Sequence, residues 1–596
     1  MPTCLVPCSF CSRVKEEAAA APHTIVAFRA LAAAIAAVVA PVTRVLNGQL
    51  IDRAAQLSSA PPHRGDNSTQ LNSTGRNDVR CSAIMLPTFS PTASASAATP
   101  PPRPIPGSYG PPVIGALRDR LDYFWFQSQD EFFRRRAAAN RSTVFRTNIP
   151  PTFPFFVGVD PRVVAVVDAA AFTALFDSTL VDKRDILIGP YNPGAGFTGG
   201  TRVGVYLDTE EPEHGRVKEF AMALLHRGAQ AWPAELRAAA DAMLDAVEAD
   251  LLAKQQQATG GKASASYLVP LQQCIFRFLC KALVGADPAA DWVVDRFGFT
   301  ILDVWLAVQL LPTQKVGVIQ PLEELLIHSF PLPSFVIWPG YHLLYRFVEK
   351  HGAETVELAA REHGIGEKDA INNLLFVLGF NAFGGFSVFL PFLVAKIGEA
   401  SDPAAGLRRR LREEVRATNV GGGDAVFGFK AVRGEMPLVR STVYEMLRMR
   451  PPVPLQFGRA RKDFVLRSHG GAGFQVAKGE VLCGYQPLAM RDPEVFDRPE
   501  EFVPERFLGD EGQALLQHLF WSNGPENSQP AAGNKQCAAK EVVVDTACML
   551  VAELFRRYDD FEVEGTSFTK LVKRQPAASS SSLSPAPAAA AEPSVK

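Results

Sequence analysis

Cys537 closes the run Trp521-Ser-Asn-Gly-Pro-Glu-Asn-Ser-Gln-Pro-Ala-Ala-Gly-Asn-Lys-Gln-Cys537, just ahead of an Ala/Val/Leu-rich stretch, Ala538 to Arg557, that reads as a helix. Glycine, cation and cysteine at Gly533, Lys535 and Cys537 have the spacing of a loop that presents a thiolate to haem iron. The helix would aim its N-terminal N–H groups at the sulfur. Those groups favour an anion, so a thiolate at neutral pH is expected. The competing reading is a small buried hydrophobe, the usual fate of an unpaired cysteine. The loop alone does not decide between them.

Two more clusters bear on that choice. Glu445-Met-Leu-Arg448 sits in a predicted helix ending at Pro451-Pro452, with acid and base one turn apart on the same face. Pro504-Glu505-Arg506-Phe507 follows and supplies a second arginine. In Glu213-His214-Gly-Arg-Val-Lys218, His214 and Lys218 are four apart. On a helix they stack on one face and could both reach one anionic edge. Ordinary surface-helix residues are the alternative.

The elements that would carry these groups are mainly helical. Trp232 to Lys254 has an Ala/Leu/Met face opposite acids and arginines. Phe145 to Asn148, Val163 to Val167 and Val481 to Cys483 read as short strands, and Gly421 to Asp424 as a loop. The chain has 596 residues, a formal net charge of −1, 47% hydrophobic residues and 40 phenylalanines. This suits a large apolar core around a cavity and gives no support to a nucleic-acid partner. Nine cysteines without a regular framework favour a reducing compartment.

Residues 1–103 read as a leader, rich in Ala, Ser, Thr and Pro, poor in acids, and of plastid-targeting type. Met85 offers an alternative start, so an over-extended reading frame stays open. Thr24 to Val42 is apolar but interrupted by Arg29, marginal for a membrane span, and no strong span is expected in the body. Cys4, Cys8 and Cys11 have the C-x3-C-x2-C spacing of an iron–sulfur site, but no strand–helix barrel pattern follows. Asn67 and Asn72 match glycosylation sequons without a secretory signal. Residues 575–596 form a low-complexity tail. The body, 104–574, reads as a single domain, mainly α with a minor β portion.

The order of Glu445/Arg448, Arg506 and Cys537 resembles the haem-thiolate superfamily, cytochrome P-450. The resemblance implies haem b ligated by Cys537. It implies a buried Glu445–Arg448–Arg506 network of structural role, and His214, Lys218 and Lys535 at the haem propionates. The departures are specific. An insert, Ser522 to Ala532, separates Phe520-Trp521 from Gly533, and Ala539 stands where a glycine is usual. Ser387 and Val388 occupy the places of the acid–threonine pair that relays protons to dioxygen in monooxygenases. Val388 has no hydroxyl to relay one.

With these departures the body resembles the plant fatty-acid hydroperoxide enzymes: hydroperoxide lyase, allene oxide synthase and divinyl ether synthase. The match rests on Pro104-Ile-Pro-Gly-Ser-Tyr-Gly-Pro-Pro, Asn148-Ile-Pro-Pro-Thr-Phe-Pro, Asn381-x-x-Gly-Gly and the insert with Gly533-Asn-Lys-Gln-Cys537. It implies a fatty-acid hydroperoxide substrate and no need for dioxygen, NADPH or a redox partner. Lys183 matches a lysine that reaches a propionate, with a solvated surface lysine as the alternative. Asn381 would hydrogen-bond the hydroperoxide, with helix packing as its alternative.

Leu187 stands where allene oxide synthases carry phenylalanine. A ring face there would stabilise a developing cation. Leu187 offers none, which favours C–C cleavage over dehydration, although plain core packing is its alternative. The expected activity is a lyase acting on 13-hydroperoxides of linolenic and linoleic acid, giving a six-carbon aldehyde and a twelve-carbon oxo acid. Allene oxide synthase is the next reading, and a monooxygenase comes last. Phe153, Phe155 and Phe156 leave open a peripheral contact with lipid or a lining of the substrate entry, against a default of core packing.

Overall fold

A computed structural model describes residues 101–151, 159–189, 191–257, 263–315, 317, 320–399, 406–418 and 427–574. The leader features, Phe153, Phe155, Phe156, the Gly421 to Asp424 loop and the tail from 575 lie outside the described residues.

The body is a helical assembly with a small sheet at one side. The expected strands form, each at slightly different limits: Val144–Asn148, Arg162–Val166 and Val481–Tyr485. They join Leu455–Ala460 and Val181–Asp182 in one five-stranded sheet. Arg162–Val166 runs parallel to Val481–Tyr485, and the other neighbours are antiparallel. Val163, Val164, Ala165 and Val166 are all fully buried, so this strand is covered on both faces. Of two smaller sheets, one places Ser567–Lys573 between Tyr558–Glu564 and Ala265–Ser266, and the other pairs Phe464–Arg467 with Gly473–Val476.

The predicted long helix is Trp232–Gln257, packed on Leu268–Leu279 and on Lys540–Arg557. Lys540–Arg557 is buried along most of its length and also packs against Leu407–Ala417 and Pro437–Met449. Pro437 starts the last of these without sacrificing an N–H bond. Glu414, on a neighbouring helix, accepts from the N–H groups of Leu438 and Val439, both at 2.8 Å. The helix stops at Met449 because residues ahead of Pro451-Pro452 are disfavoured in the helical region.

Through the centre runs the helix Glu367–Ile397, 31 residues long and apolar enough by length and composition to cross a membrane. The sequence reading expected no such segment in the body. In the fold it is a core helix, with half of its most apolar window buried inside the protein. Val377–Phe383 widens into a π-helical turn, and Pro391 lies within the following turns. Both interrupt the regular hydrogen-bond ladder, and π-turns of this kind concentrate at functional sites.

Candidate active site

The Glu445–Arg448–Arg506 cluster forms as expected. Arg448 donates from Nε and Nη2 to the two Glu445 carboxylate oxygens, both at 2.8 Å. Its remaining N–H groups reach the carbonyls of Met490, Pro499 and Glu501. Arg506 Nε adds a third bond to Glu445 at 3.0 Å, and the Val503 N–H a fourth at 2.8 Å. With its donors and acceptors paired, the buried charge is tolerable. The network pins segment 490–506 to the helix Pro437–Met449.

The insert before Cys537 is an ordered hairpin. Phe520 pairs with Pro525, the Trp521 N–H reaches the Gly524 carbonyl at 2.6 Å, and the Glu526 N–H reaches Leu519 at 2.8 Å. Glu526 enters the core, where Tyr444 Oη donates to its carboxylate at 2.9 Å and Lys540 Nζ to its carbonyl at 2.7 Å. The helix after the loop begins at Lys540.

Cys537 keeps some accessible surface deep in the fold. Burial pushes its thiol pKa up, while Lys218 and the Ala539 N–H pull it down. This corrects the expectation that a helix end alone yields a thiolate. Desolvation outweighs those contributions, and coordination to a metal is what removes the proton from such a thiol.

Four basic side chains converge near the loop. Burial, and then Lys535, holds Lys183 down to about 7. Burial, and then Lys218, holds Lys535 down to about 7. His214 is pushed down to about 4 by burial, Lys535 and Lys218. Burial also lowers Lys218, which donates to the Gln536 carbonyl. Lys183 is buried rather than solvated, its Nζ on the Phe457 carbonyl. Lys535 Nζ clasps the carbonyls of Gly204, Val205 and Leu207 at 2.9, 3.3 and 2.8 Å.

The nearby acids are committed elsewhere. Arg461 pairs with Asp208, and Arg202 with Glu211. His214 Nδ1 is buried without a partner. Crowded cations and an orphaned ring nitrogen fit a dianionic group such as the propionate edge of haem, and the cysteine sulfur fits its iron.

On the central helix, Asn381 is exposed, and no described residue hydrogen-bonds its amide. Gly385, one turn on, has open space where a side chain would stand. The two mark a face left unfilled by protein. Behind it, Phe376 and Phe380 stack at 4.8 Å, and Trp305 abuts Gly379. Ser387 Oγ is buried without a partner, and Val388 is half-buried.

Leu187 is half-buried and packs against the main core. Its segment is fastened to Phe457 twice, through Lys183 and through Gly189, where an added Cβ would lie 2.8 Å from the Phe457 ring. Gly189 also has φ +72°, a conformation glycine adopts without strain. Neither Gly189 nor Phe457 stood out in the sequence. A glycine two residues beyond Leu187 was the available signal.

The cytochrome P450 family profile matches residues 406–527. The chain is 50% identical over 503 residues to linolenate hydroperoxide lyase, chloroplastic, of Arabidopsis thaliana, covering 83% of this chain and 99% of the relative. It is 47% identical to fatty acid hydroperoxide lyase, chloroplastic, of Solanum lycopersicum, over 81% of this chain and 99% of that protein. Allene oxide synthase, chloroplastic, of Linum usitatissimum is 41% identical over 82% of this chain and 88% of its own. A crystal structure of a mutant cytochrome P450 haem domain superposes with TM-score 0.57 at 14% identity, over 80% of this chain and 98% of that one.

Proposed function

Because the chain belongs to the hydroperoxide lyase and allene oxide synthase branch of the cytochrome P450 family, we propose that it is a plastid fatty-acid hydroperoxide lyase. Its substrate in this reading is a 13-hydroperoxide of linolenic or linoleic acid. The products are a six-carbon aldehyde and a twelve-carbon oxo acid. The observation that carries the reading is its half-identity, over nearly the whole length of the relative, to linolenate hydroperoxide lyase.

Bound haem supplies an iron centre that breaks an O–O bond homolytically. Cys537 would be the residue that holds that iron. His214, Lys218 and Lys183 balance the anionic edge of the group, with Lys535 bracing the loop beside them. Asn381 donates a hydrogen bond to the substrate's peroxide oxygens from a helix face with no competing protein partner. Val388 offers no hydroxyl for proton delivery, so the oxygen atoms arrive already joined in the substrate. Leu187 presents an aliphatic surface, which withholds the stabilisation a ring would give a carbocation. The substrate then cleaves rather than dehydrates.

The protein also meets a membrane peripherally in this reading. Val113, Ile114, Leu117 and Phe126 near one helix, and Leu322 and Leu325 on another, are exposed, and the Arg120–Glu324 bridge at 2.7 Å ties the two regions together. Incubation with 13-hydroperoxylinolenic acid in the absence of NADPH tests the activity. Hexenal by gas chromatography supports it, and ketols or cyclopentenones in its place would identify an allene oxide synthase.

A further inference from the structure

Gln536, immediately before the cysteine, is 1% exposed. Its amide Nε2 donates to the Pro525 carbonyl at 2.6 Å, and its Oε1 accepts from Ser528 Oγ at 2.9 Å. Both partners belong to the insert. Gly524, also in the insert, lies so close that an added Cβ would come within 2.8 Å of the Gln536 side chain. The Gln536 peptide is fixed at both ends as well. Its N–H reaches Asn534 Oδ1 at 3.2 Å, and its carbonyl takes the Lys218 ammonium. Asn534 in turn accepts from the Ala531 N–H at 3.1 Å and donates to the Gln529 carbonyl at 3.0 Å.

We propose that Gln536 is a positioning residue through which the inserted hairpin sets the location and orientation of the Cys537 sulfur. The inference rests on the haem-thiolate reading above. A loop lengthened by an insert would ordinarily gain freedom, and a ligand on a freer loop holds its metal less firmly. Here the insert folds back and grips the residue next to the ligand. The extra length works as a strut. Groups that orient a metal ligand typically change affinity or activity by about 10- to 100-fold when removed.

The test is Gln536→Met in the full-length holoprotein, which keeps the side-chain volume and removes both hydrogen bonds. Ser528→Ala, which removes one of them, is the milder second variant. The readouts are the ferric Soret maximum, the low-spin electron paramagnetic resonance signal and the rate of haem transfer to apomyoglobin. The expected result is a displaced thiolate signature with haem loss faster by about 10-fold or more in Gln536→Met. A smaller shift in the same direction is expected for Ser528→Ala, with kcat falling at nearly constant KM in both. Wild-type spectra and wild-type haem loss in both variants would overturn the inference and leave the haem-thiolate reading intact. A wild-type protein without any thiolate signature would overturn that reading itself, and the inference with it.

Discussion

Glu445 and Arg448 face each other one helical turn apart, both with no exposed side-chain surface, joined by two parallel hydrogen bonds of 2.8 Å. Removing the acid leaves Arg448 and Arg506 as buried, uncompensated cations. Glu445→Gln is therefore expected to destabilise the fold by about 3–5 kcal/mol. Urea denaturation of the purified variant measures this, and a loss under about 1 kcal/mol, the worth of an exposed pair, would contradict the buried-network account.

Cys537→Ala is expected to abolish the thiolate-type Soret band while the fold persists, since Cys537 lies in a loop stitched by its own hairpin. Circular dichroism should remain that of a helical protein. Retention of a thiolate signature would move the ligand to another cysteine.

Leu187→Phe is expected to divert part of the product from aldehyde to allene oxide and its ketol hydrolysis products. Chromatography of the products from 13-hydroperoxylinolenic acid reads the partition. An unchanged ratio would show that position 187 only packs against the core.

Asn381→Leu removes a donor that no described residue uses. The expected loss is about 100-fold in kcat, with haem content and thermal stability near wild type. A variant of full activity would return Asn381 to a packing role.

His469 supplies a pH test away from the site. Burial lowers its pKa, but the hydrogen bond and charge of Asp492, with Asp168 and Glu494 behind, raise it overall above the ordinary 6.5. The Nε2 to Asp492 distance is 2.7 Å. A raised folded-state pKa gives stability that is full below the unfolded value and is lost as pH climbs through the folded one. The stability gap between wild type and His469→Asn should therefore narrow as pH rises from about 6.5. A gap that widens would show that the neutral ring is the favoured form.

The features legible in the sequence are those set by local spacing. Glu445 and Arg448 lie one helical turn apart, as do His214 and Lys218, and the cysteine follows its glycine and cation in one loop. The rest depends on distant chain meeting distant chain. Lys535 looked like a propionate ligand, but three carbonyls more than 300 residues earlier hold its ammonium. Lys183 reads as a propionate partner or a solvated surface lysine, and only the fold buries it with its ammonium on the Phe457 carbonyl. The thiolate expected from the helix end ignored desolvation, which no pattern of letters reports. The body shows no strong span by its letters, because the apolar length of the central helix arises where the π-turn joins Glu367–Phe376 to Gly384–Ile397 in one run.

The cysteines have a practical consequence. Cys274, Cys280, Cys483 and Cys548 are buried, and burial pushes all four thiols up, Cys274 to about 12 and the others further. Among the described cysteines Cys537 alone is half-buried, Cys274 keeping a 3% sliver of surface and the other three none. An alkylating reagent and the cofactor would thus compete for the same sulfur. In a chain lacking residues 1–103, the number of modifiable thiols becomes a direct gauge of how much of a preparation carries its prosthetic group.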